Sequence, residues 1–213
     1  MAVRLTSVLL GVVALHCTLP CAAELYRVVD QNGKPVADAA VHFDDRQPAT
    51  GSDLHTIAQI DKEFVPRFSL IRAGTVVDFP NQDRSRHHVY SFSSAKSFEL
   101  ELYHGETSEP VRFPDAGIVT LGCNVHDWMI GWIYVVSGTP VGLTDERGYI
   151  EIPAIDAPES LSIWHPHALA PMTVLMQPDS ANRTLSLNMQ ETVLLPERPA
   201  TTHTRRRRSV RSE

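Results

Sequence analysis

Short apolar runs with alternating polar positions recur along most of the chain, and turn residues separate them. Segments such as "RFSLI", "TVVDF", "GWIYVV" and "SLSIWH" are rich in β-branched and aromatic residues, which favour strands. Turn signals such as "DQNGKP", "PNQD" and "DERGY" lie between the runs at the spacing of a sandwich or barrel. No long amphipathic helical pattern interrupts them. The pattern therefore predicts an all-β chain of the sandwich or barrel type.

The first 23 residues have the order of a secretory signal peptide. Arg4 precedes the apolar run "SVLLGVVALHCTL", and the small-residue stretch "CAA" follows it. The run is too short to span a bilayer, and no later segment has the roughly 18 uncharged residues that would. We therefore expect a periplasmic or secreted protein. In an alternative interpretation Cys17 or Cys21 is acylated, although His or Pro precedes each of them where a small residue is expected.

Cleavage leaves a single cysteine, Cys123, in a compartment that normally pairs thiols. Cys123, His126 and Met129 stand at three-residue intervals in "GIVTLGCNVHDWMIGWIYVV", between two predicted strands. A thiolate, an imidazole and a thioether are ligand types of a blue copper site, which also needs a second imidazole. The alternative is an inert cysteine that packs as a small hydrophobic residue, with Met129 in the core and His126 at the surface.

The second imidazole is available in "FPNQDRSRHHVYSFS", 36 residues before the thiol. His87 and His88 open a predicted strand, and alternation along that strand allows only one of them to face the core. A zinc site would require more thiolates or carboxylates and no thioether. The "HPH" sequence at His165 and His167 is a weaker metal candidate, because it is predicted to be a loop after a strand.

Charge is distributed unevenly along the chain. Residues 24–195 contain 12 Lys and Arg against 23 Asp and Glu, a net charge of −11. An acidic exported body argues against nucleic acid as a partner and favours basic or charge-matched proteins. The tail, residues 196–213, is rich in Arg, has little apolar content and is predicted to be disordered.

Three stretches between about residues 55 and 136 resemble the cupredoxins, the small blue copper electron carriers. They are "FVPRFSLIRAGTVVDFPNQD", the strand start "HHV" and the loop "LGCNVHDWM". The spacing of Cys123, His126 and Met129 resembles that of amicyanin rather than the longer plastocyanin loop. The resemblance implies one mononuclear type 1 copper site, with these three residues and His87 as its ligands.

The resemblance also bears on the neighbours of His87. Asn81 lies six residues before His87, as an asparagine does in the family. His88 stands where the family has an asparagine whose hydrogen bond helps to fix the cysteine loop. His88 therefore remains an alternative ligand, and Asn81 is expected to act beside the site.

The flanking segments, residues 24–50 and 138–195, resemble two halves of a carboxypeptidase regulatory-like or transthyretin-like β-sandwich. The matching sequences are "DQNGKPVADAAV", "TDERGY" and "LSIWHP". The resemblance implies that a Greek-key cupredoxin domain, residues 51–137, is inserted into a second, smaller Ig/transthyretin-like sandwich. Taken together, the body resembles exported proteins of the methylamine utilization type.

These resemblances imply outer-sphere electron transfer without substrate turnover, so we do not expect an enzyme. Trp128 and Ile130 are expected to form an apolar patch around the imidazole edge of His126, where a partner would dock. The acidic body suits a basic-faced c-type cytochrome or periplasmic dehydrogenase. The alternative function is a copper-binding carrier or a structural β-sandwich module without redox turnover.

Overall fold

The computed structural model describes residues 23–45, 54–106, 109–155, 159–177 and 181–190, together with residues 196 and 198. The predicted signal peptide up to residue 22, the predicted domain boundary at residue 50 and the Arg-rich sequence after residue 198 lie outside the described residues. The described ranges contain 17 strands and no helix, which confirms the predicted all-β class. No helix in these ranges is long and apolar enough to span a membrane.

The strands are short, as expected from apolar runs that turn residues interrupt. In chain order they are β1 (Ala23–Asp30), β2 (Ala40–Phe43), β3 (Leu54–Thr56), β4 (Ala58–Ile60), β5 (Glu63–Val65), β6 (Phe68–Arg72), β7 (Val76–Asp78), β8 (His87–Ser93), β9 (Lys96–Tyr103), β10 (Val111–Arg112), β11 (Gly117–Gly122), β12 (Ile130–Val136), β13 (Pro140–Leu143), β14 (Tyr149–Pro153), β15 (Glu159–Trp164), β16 (Met172–Met176) and β17 (Thr184–Leu187).

The largest sheet has five strands in the order β6–β12–β11–β8–β9. The β6 and β12 strands run parallel, and the other neighbours are antiparallel. Successive side chains of a strand point to opposite faces. On β12, Ile133 and Val135 are fully buried, whereas Trp132 and Tyr134 are half-buried and belong to the other face. Both faces of this sheet are therefore covered in its β12 region.

One face packs into what we call the central core. Its buried residues are Ile57, Phe64, Ile71, Ala73, Val77, Phe79, Val89, Phe113, Val119, Leu121, Cys123, Met129, Ile133 and Val135. Complete burial of a side chain such as Phe113 contributes about 1.5–3 kcal/mol. The thiol of Cys123 and the thioether of Met129 therefore lie among apolar side chains.

The other face packs against what we call the flanking core. Its buried residues are Tyr26, Val28, Val36, Ala39, Ala40, Val41, Phe68, Ile150, Ile152, Leu161, Ile163, Trp164, Ala168, Met176, Leu185 and Leu187. Two sheets supply most of them, in the orders β13–β2–β15–β16 and β14–β1–β17. From the large sheet, Leu70, Ile118, Trp132 and Tyr134 pack against this core. Its own strands come from chain segments before and after the one that forms the central core.

The chain leaves the strands of the flanking core after Phe43 and returns to them at Thr139. These two chain crossings lie side by side. The backbone N–H of Phe43 donates to the carbonyl of Thr139 at 2.9 Å. The Asp45 carboxylate accepts hydrogen bonds from the Thr139 backbone N–H at 2.6 Å and from its hydroxyl at 2.7 Å. A Cβ added at Gly138 would overlap the Phe43 carbonyl oxygen. The hydrogen bonds between these residues therefore hold together the two ends of the segment that forms the central core, and Gly138 allows the two backbones to approach closely.

Candidate metal centre

The candidate site is built around a seven-residue loop, residues 123–129, that joins β11 to β12. The two strands pair up to Gly122↔Ile130, so Cys123 and Met129 are the loop residues next to the last ladder pair. The Met129 N–H donates to the His126 carbonyl at 2.9 Å and closes a turn within the loop. Cys123 and Met129 are 3 % and 1 % exposed, whereas His126 is half-buried. The short loop therefore keeps all three residue types close to one another.

The structure brings His87 from β8 to this loop. The Cys123 Sγ lies 3.9 Å from His87 Nδ1 and 3.9 Å from His126 Nδ1. The three atoms lie within 4.8 Å of one another, and the two imidazole rings have centroids 4.9 Å apart. In the part of the chain that the structure describes, no other group of three or more His, Cys, Asp or Glu side chains could hold a metal ion.

The donor set fits a soft or borderline transition metal. Bonds of about 2.3 Å to a thiolate and about 2.0 Å to imidazole nitrogens place those atoms roughly 3.5 Å apart, near the separation found here. Met129 is buried in the same core as Cys123, and both residues line an open groove of about 510 Å³. A thioether at this position suits copper better than zinc, which prefers thiolates, imidazoles and carboxylates.

His88, the alternative ligand, points away from the thiol. Its Nε2 lies 2.9 Å from Glu99 Oε1, and its ring lies against Tyr90 with centroids 5.5 Å apart. His88 is nevertheless only 9 % exposed, because Glu99 of the neighbouring strand and Tyr90 cover it. Its Nδ1 is buried and has no hydrogen-bond partner among the described residues. Alternation along β8 thus places two adjacent histidines in different surroundings.

Sequence reasoning missed one residue beside the site, Asp83. Its Oδ2 accepts a hydrogen bond from His87 Nε2 at 2.7 Å, on the side of the ring opposite the thiol. The Asp83 carboxylate also accepts the backbone N–H groups of Asp61 and Lys62, at 2.7 and 2.8 Å. The one available signal was an acidic residue four positions before a candidate ligand histidine.

Asn81 shapes the segment that carries Asp83 and His87. Its side-chain oxygen accepts the Asp83 N–H at 2.9 Å, and its side-chain nitrogen donates to the carbonyls of Ser85 and Tyr103, each at 2.9 Å. Asn81 is only 3 % exposed. Its amide is thus bonded to backbone groups of the segment that leads into His87.

Burial and neighbouring groups shift the pKa values of two residues at the site. Burial lowers the pKa of His126, and the charges of His87 and Lys62 lower it further, whereas Asp83 opposes the shift. Burial raises the pKa of Asp83, but hydrogen bonds from Lys62, His87 and Asp61 outweigh it, so the net pKa is below its usual value. Both shifts therefore favour an ionised Asp83 and a neutral His126 at neutral pH.

Trp128, one of the two residues predicted to form an apolar patch around His126, lies beside that ring. The rings of Trp128 and His126 have centroids 5.1 Å apart, and both side chains are half-buried. Val125 is 46 % exposed in the same loop, whereas Ile130 is half-buried and lines the groove beside Tyr90. Trp128 and Val125 therefore adjoin His126, and Ile130 faces the groove.

His165 and His167 do not join the cluster. Their rings pack edge to face with centroids 5.0 Å apart, and the His167 ring lies 6.1 Å from that of Trp132. The His167 N–H donates to His165 Nδ1 at 3.0 Å. Burial, followed by the charge of His167, lowers the pKa of His165 to about 4. This pair therefore serves the packing of a loop beside the flanking core.

No family model and no curated protein matches the chain. Among solved structures it is similar to a Cu-containing nitrite reductase from Thermus scotoductus SA-01, with 22 % identity over 42 % of this chain and 25 % of that one, and a TM-score of 0.36. It is also similar to a reduced amicyanin variant, with 16 % identity, 45 % and 98 % coverage and a TM-score of 0.35. A purple cupredoxin from Nitrosopumilus maritimus gives 20 % identity, 38 % and 98 % coverage and a TM-score of 0.34. The chain spans about a quarter of the nitrite reductase, and each match covers less than half of this chain.

Proposed function

We propose that this chain is a periplasmic type 1 copper protein that transfers electrons between redox partner proteins. The observation that carries the proposal is the convergence of His87 Nδ1, Cys123 Sγ and His126 Nδ1, beside a buried methionine. Two imidazoles, one thiolate and a thioether form the donor set of mononuclear blue copper sites. Bound copper would supply a one-electron change between Cu(I) and Cu(II).

The roles of the four side chains follow from their chemistry. Cys123 would hold the metal as a thiolate, and His87 and His126 would bind it through their Nδ1 atoms. Met129 would supply a weak thioether ligand that tunes the reduction potential. The β11–β12 ladder and the hydrogen bonds of the 81–87 segment hold these side chains in place before a metal arrives. A rigid donor set changes little between two oxidation states, which suits electron transfer rather than substrate turnover.

The imidazole of His126 is the proposed contact with a partner. It is the one half-buried member of the cluster, and Trp128 and Val125 supply apolar surface beside it. Redox encounters use small, weak interfaces that charge steers over longer distances. The net charge of −11 over residues 24–195 favours a basic-faced partner, such as a c-type cytochrome or a periplasmic dehydrogenase.

The proposal includes the domain plan and the route of export. Residues 1–23 would be removed as a signal peptide, and residues 51–137 would form a cupredoxin domain. Residues 24–50 and 138–195 would form the sandwich into which it is inserted. Two observations support this plan: the separate central and flanking cores, and the adjacent chain crossings at Phe43 and Thr139.

Copper titration of the metal-free protein tests the proposal. We expect one copper per chain, an intense thiolate-to-copper absorption and reversible bleaching by a reductant. Cys123→Ser should remove the absorption, because a hydroxyl cannot supply the thiolate charge transfer. Circular dichroism of the metal-free variant is the control for folding. Colour and stoichiometry that persist in Cys123→Ser would refute the site.

The same titration distinguishes an electron carrier from the alternative functions, a copper carrier and a structural module. A copper carrier would bind Cu(I) without the absorption and would release it to a chelator. A structural module, in which the metal only holds the fold, would show no reversible redox cycling, and copper would raise the urea concentration at which it unfolds.

A further inference from the structure

Asp83 is the one acidic side chain with a hydrogen bond to a member of the cluster among the described residues. Its Oδ2 lies 2.7 Å from His87 Nε2, and the His87 ring is fully buried. An ionised carboxylate only accepts hydrogen bonds, so Nε2 must carry a proton, and whenever the ring carries only one proton its Nδ1 is bare. The lone pair of His87 Nδ1 then faces the Cys123 thiol, 3.9 Å away. The contact thus selects the tautomer that can bind a metal.

The carboxylate is itself held from a second part of the chain. The β4–β5 turn directs the N–H groups of Asp61 and Lys62 at its two oxygens, at 2.7 and 2.8 Å. Both turn residues have positive φ, 53° and 63°, which is uncommon outside glycine. The left-handed turn is therefore shaped around the Asp83 carboxylate. Three donors fix Asp83 in place, and the charge cannot move away from the ring.

A fixed negative charge behind a ligand ring has two consequences. It restrains the rotation of His87, and it makes the imidazole a stronger electron donor. A stronger donor stabilises the more highly charged oxidation state of a bound metal. Ser85 supplies no comparable charge, because its hydroxyl is neutral, and it also lies farther from the same nitrogen, at 3.4 Å.

We propose that Asp83 is a positioning residue that fixes the tautomer of His87 and lowers the reduction potential of the bound copper. This inference rests on the proposed function, because it assumes that copper binds at the cluster. It goes further in assigning the control of potential to a carboxylate outside the ligand set.

The test compares Asp83→Asn with Asp127→Asn. Both changes remove one negative charge close to the cluster, but the exposed Asp127 has no hydrogen bond to a ligand ring among the described contacts. Mutation of a hydrogen-bond partner of a metal ligand typically lowers metal affinity by about 10–100-fold, and Asp83→Asn removes the charge while it keeps an oxygen acceptor. We expect Asp83→Asn to weaken Cu(II) binding at least tenfold more than Cu(I) binding. A tenfold change in that ratio raises a one-electron potential by about 59 mV.

Direct electrochemistry of the copper-loaded variants measures this shift. A clear rise in Asp83→Asn with little change in Asp127→Asn supports the inference. An unchanged or lower potential in Asp83→Asn, or an equal rise in both variants, overturns it. In either overturning case the wild-type protein still binds copper, so the proposed function stands.

A second measurement needs no metal. Nitrogen-15 NMR of the metal-free wild-type protein reports which ring nitrogen of His87 carries the proton. We expect the Nε2–H tautomer, with an Nε2 proton protected from exchange with water. The Nδ1–H tautomer would overturn the inference, even if Asp83→Asn fails to fold. Failure of the wild-type protein to bind copper would instead refute the proposed function and leave this tautomer measurement unaffected.

Discussion

The two adjacent histidines of β8 form a matched pair for testing the ligand assignment. His87→Ala removes a fully buried ring whose Nδ1 lies 3.9 Å from the Cys123 thiol. His88→Ala removes the neighbouring ring, whose Nε2 is bonded to Glu99 instead. The two variants differ by one position and share the same chemical change. We expect His87→Ala to lose the blue absorption and His88→Ala to keep it.

The magnitudes follow from the contacts that each ring makes. Loss of a residue behind a ligand lowers metal affinity about 10–100-fold, so loss of His87 itself should exceed about 100-fold. Its charge-assisted hydrogen bond to Asp83 contributes about 1.5–3 kcal/mol, which the metal-free protein also loses. The partner of His88 is more than half exposed, so that contact contributes about 0–1 kcal/mol. Even if all of that energy were lost to copper binding, His88→Ala should therefore change copper affinity by no more than about fivefold.

The assay is a competitive titration of each metal-free variant with copper and a chelator, with urea unfolding alongside it. Urea unfolding separates a lost ligand from a lost fold, since both variants must be folded before their affinities are compared. Retention of the absorption in His87→Ala together with its loss in His88→Ala would reverse the ligand assignment. Loss of the absorption in both folded variants would show that metal binding does not depend on which of the two rings faces Cys123.

Two further predictions concern the scaffold. Gly138→Ala should lower the free energy of unfolding by about 2–4 kcal/mol, because its Cβ would overlap the Phe43 carbonyl oxygen and open hydrogen bonds of about 1 kcal/mol each. Urea unfolding measures this loss, and Gly33→Ala is the control: its Cβ would meet no atom within 4 Å, and its φ of 80° alone should cost about 1 kcal/mol, so equal losses would refute the overlap. His165 has a pKa of about 4 in the folded protein and about 6.5 when unfolded, so protonation of the unfolded chain destabilises the fold as the pH falls from about 6.5 to 4. His165→Asn should make the decrease in the free energy of unfolding between about pH 7 and pH 4.5 smaller by roughly 1–2 kcal/mol, after allowance for solvent screening of this half-buried ring. Urea titrations at the two pH values measure this decrease, and a variant with the same decrease as the wild type would contradict the prediction.

Most of the strands and candidate ligands that could be predicted from the sequence were predicted from patterns of residues close together in the chain. The alternation in "GWIYVV" and the turn residues around it predict a strand, and the structure has β12 there. The three-residue spacing of Cys123, His126 and Met129 limits how far apart the three side chains can lie. Complementary donor chemistry pointed to His87 or His88 as a distant partner, and the structure brings His87 to the loop.

Long-range contacts account for what was missed. Asp83 is held by a turn at Asp61 and Lys62. The positive φ angles of that turn could not be predicted from the sequence, because neither residue is glycine. Alternation suggested that only one histidine of β8 would be enclosed, yet His88 is also buried. Its cover is Glu99 of β9, and the pairing of β8 with β9 includes a register shift beside His88 that local sequence does not reveal.

The β12 strand belongs to two cores at once, since Ile133 and Val135 face one and Trp132 and Tyr134 face the other. A ligand that binds only the folded state stabilises everything that unfolds together with its site, by about 4 kcal/mol at a thousandfold excess over its dissociation constant. Copper held by the loop before β12 would therefore slow amide hydrogen exchange beyond the central core. The protected amides would include those of β2 and β15, which contribute no ligand but share the flanking core with β12.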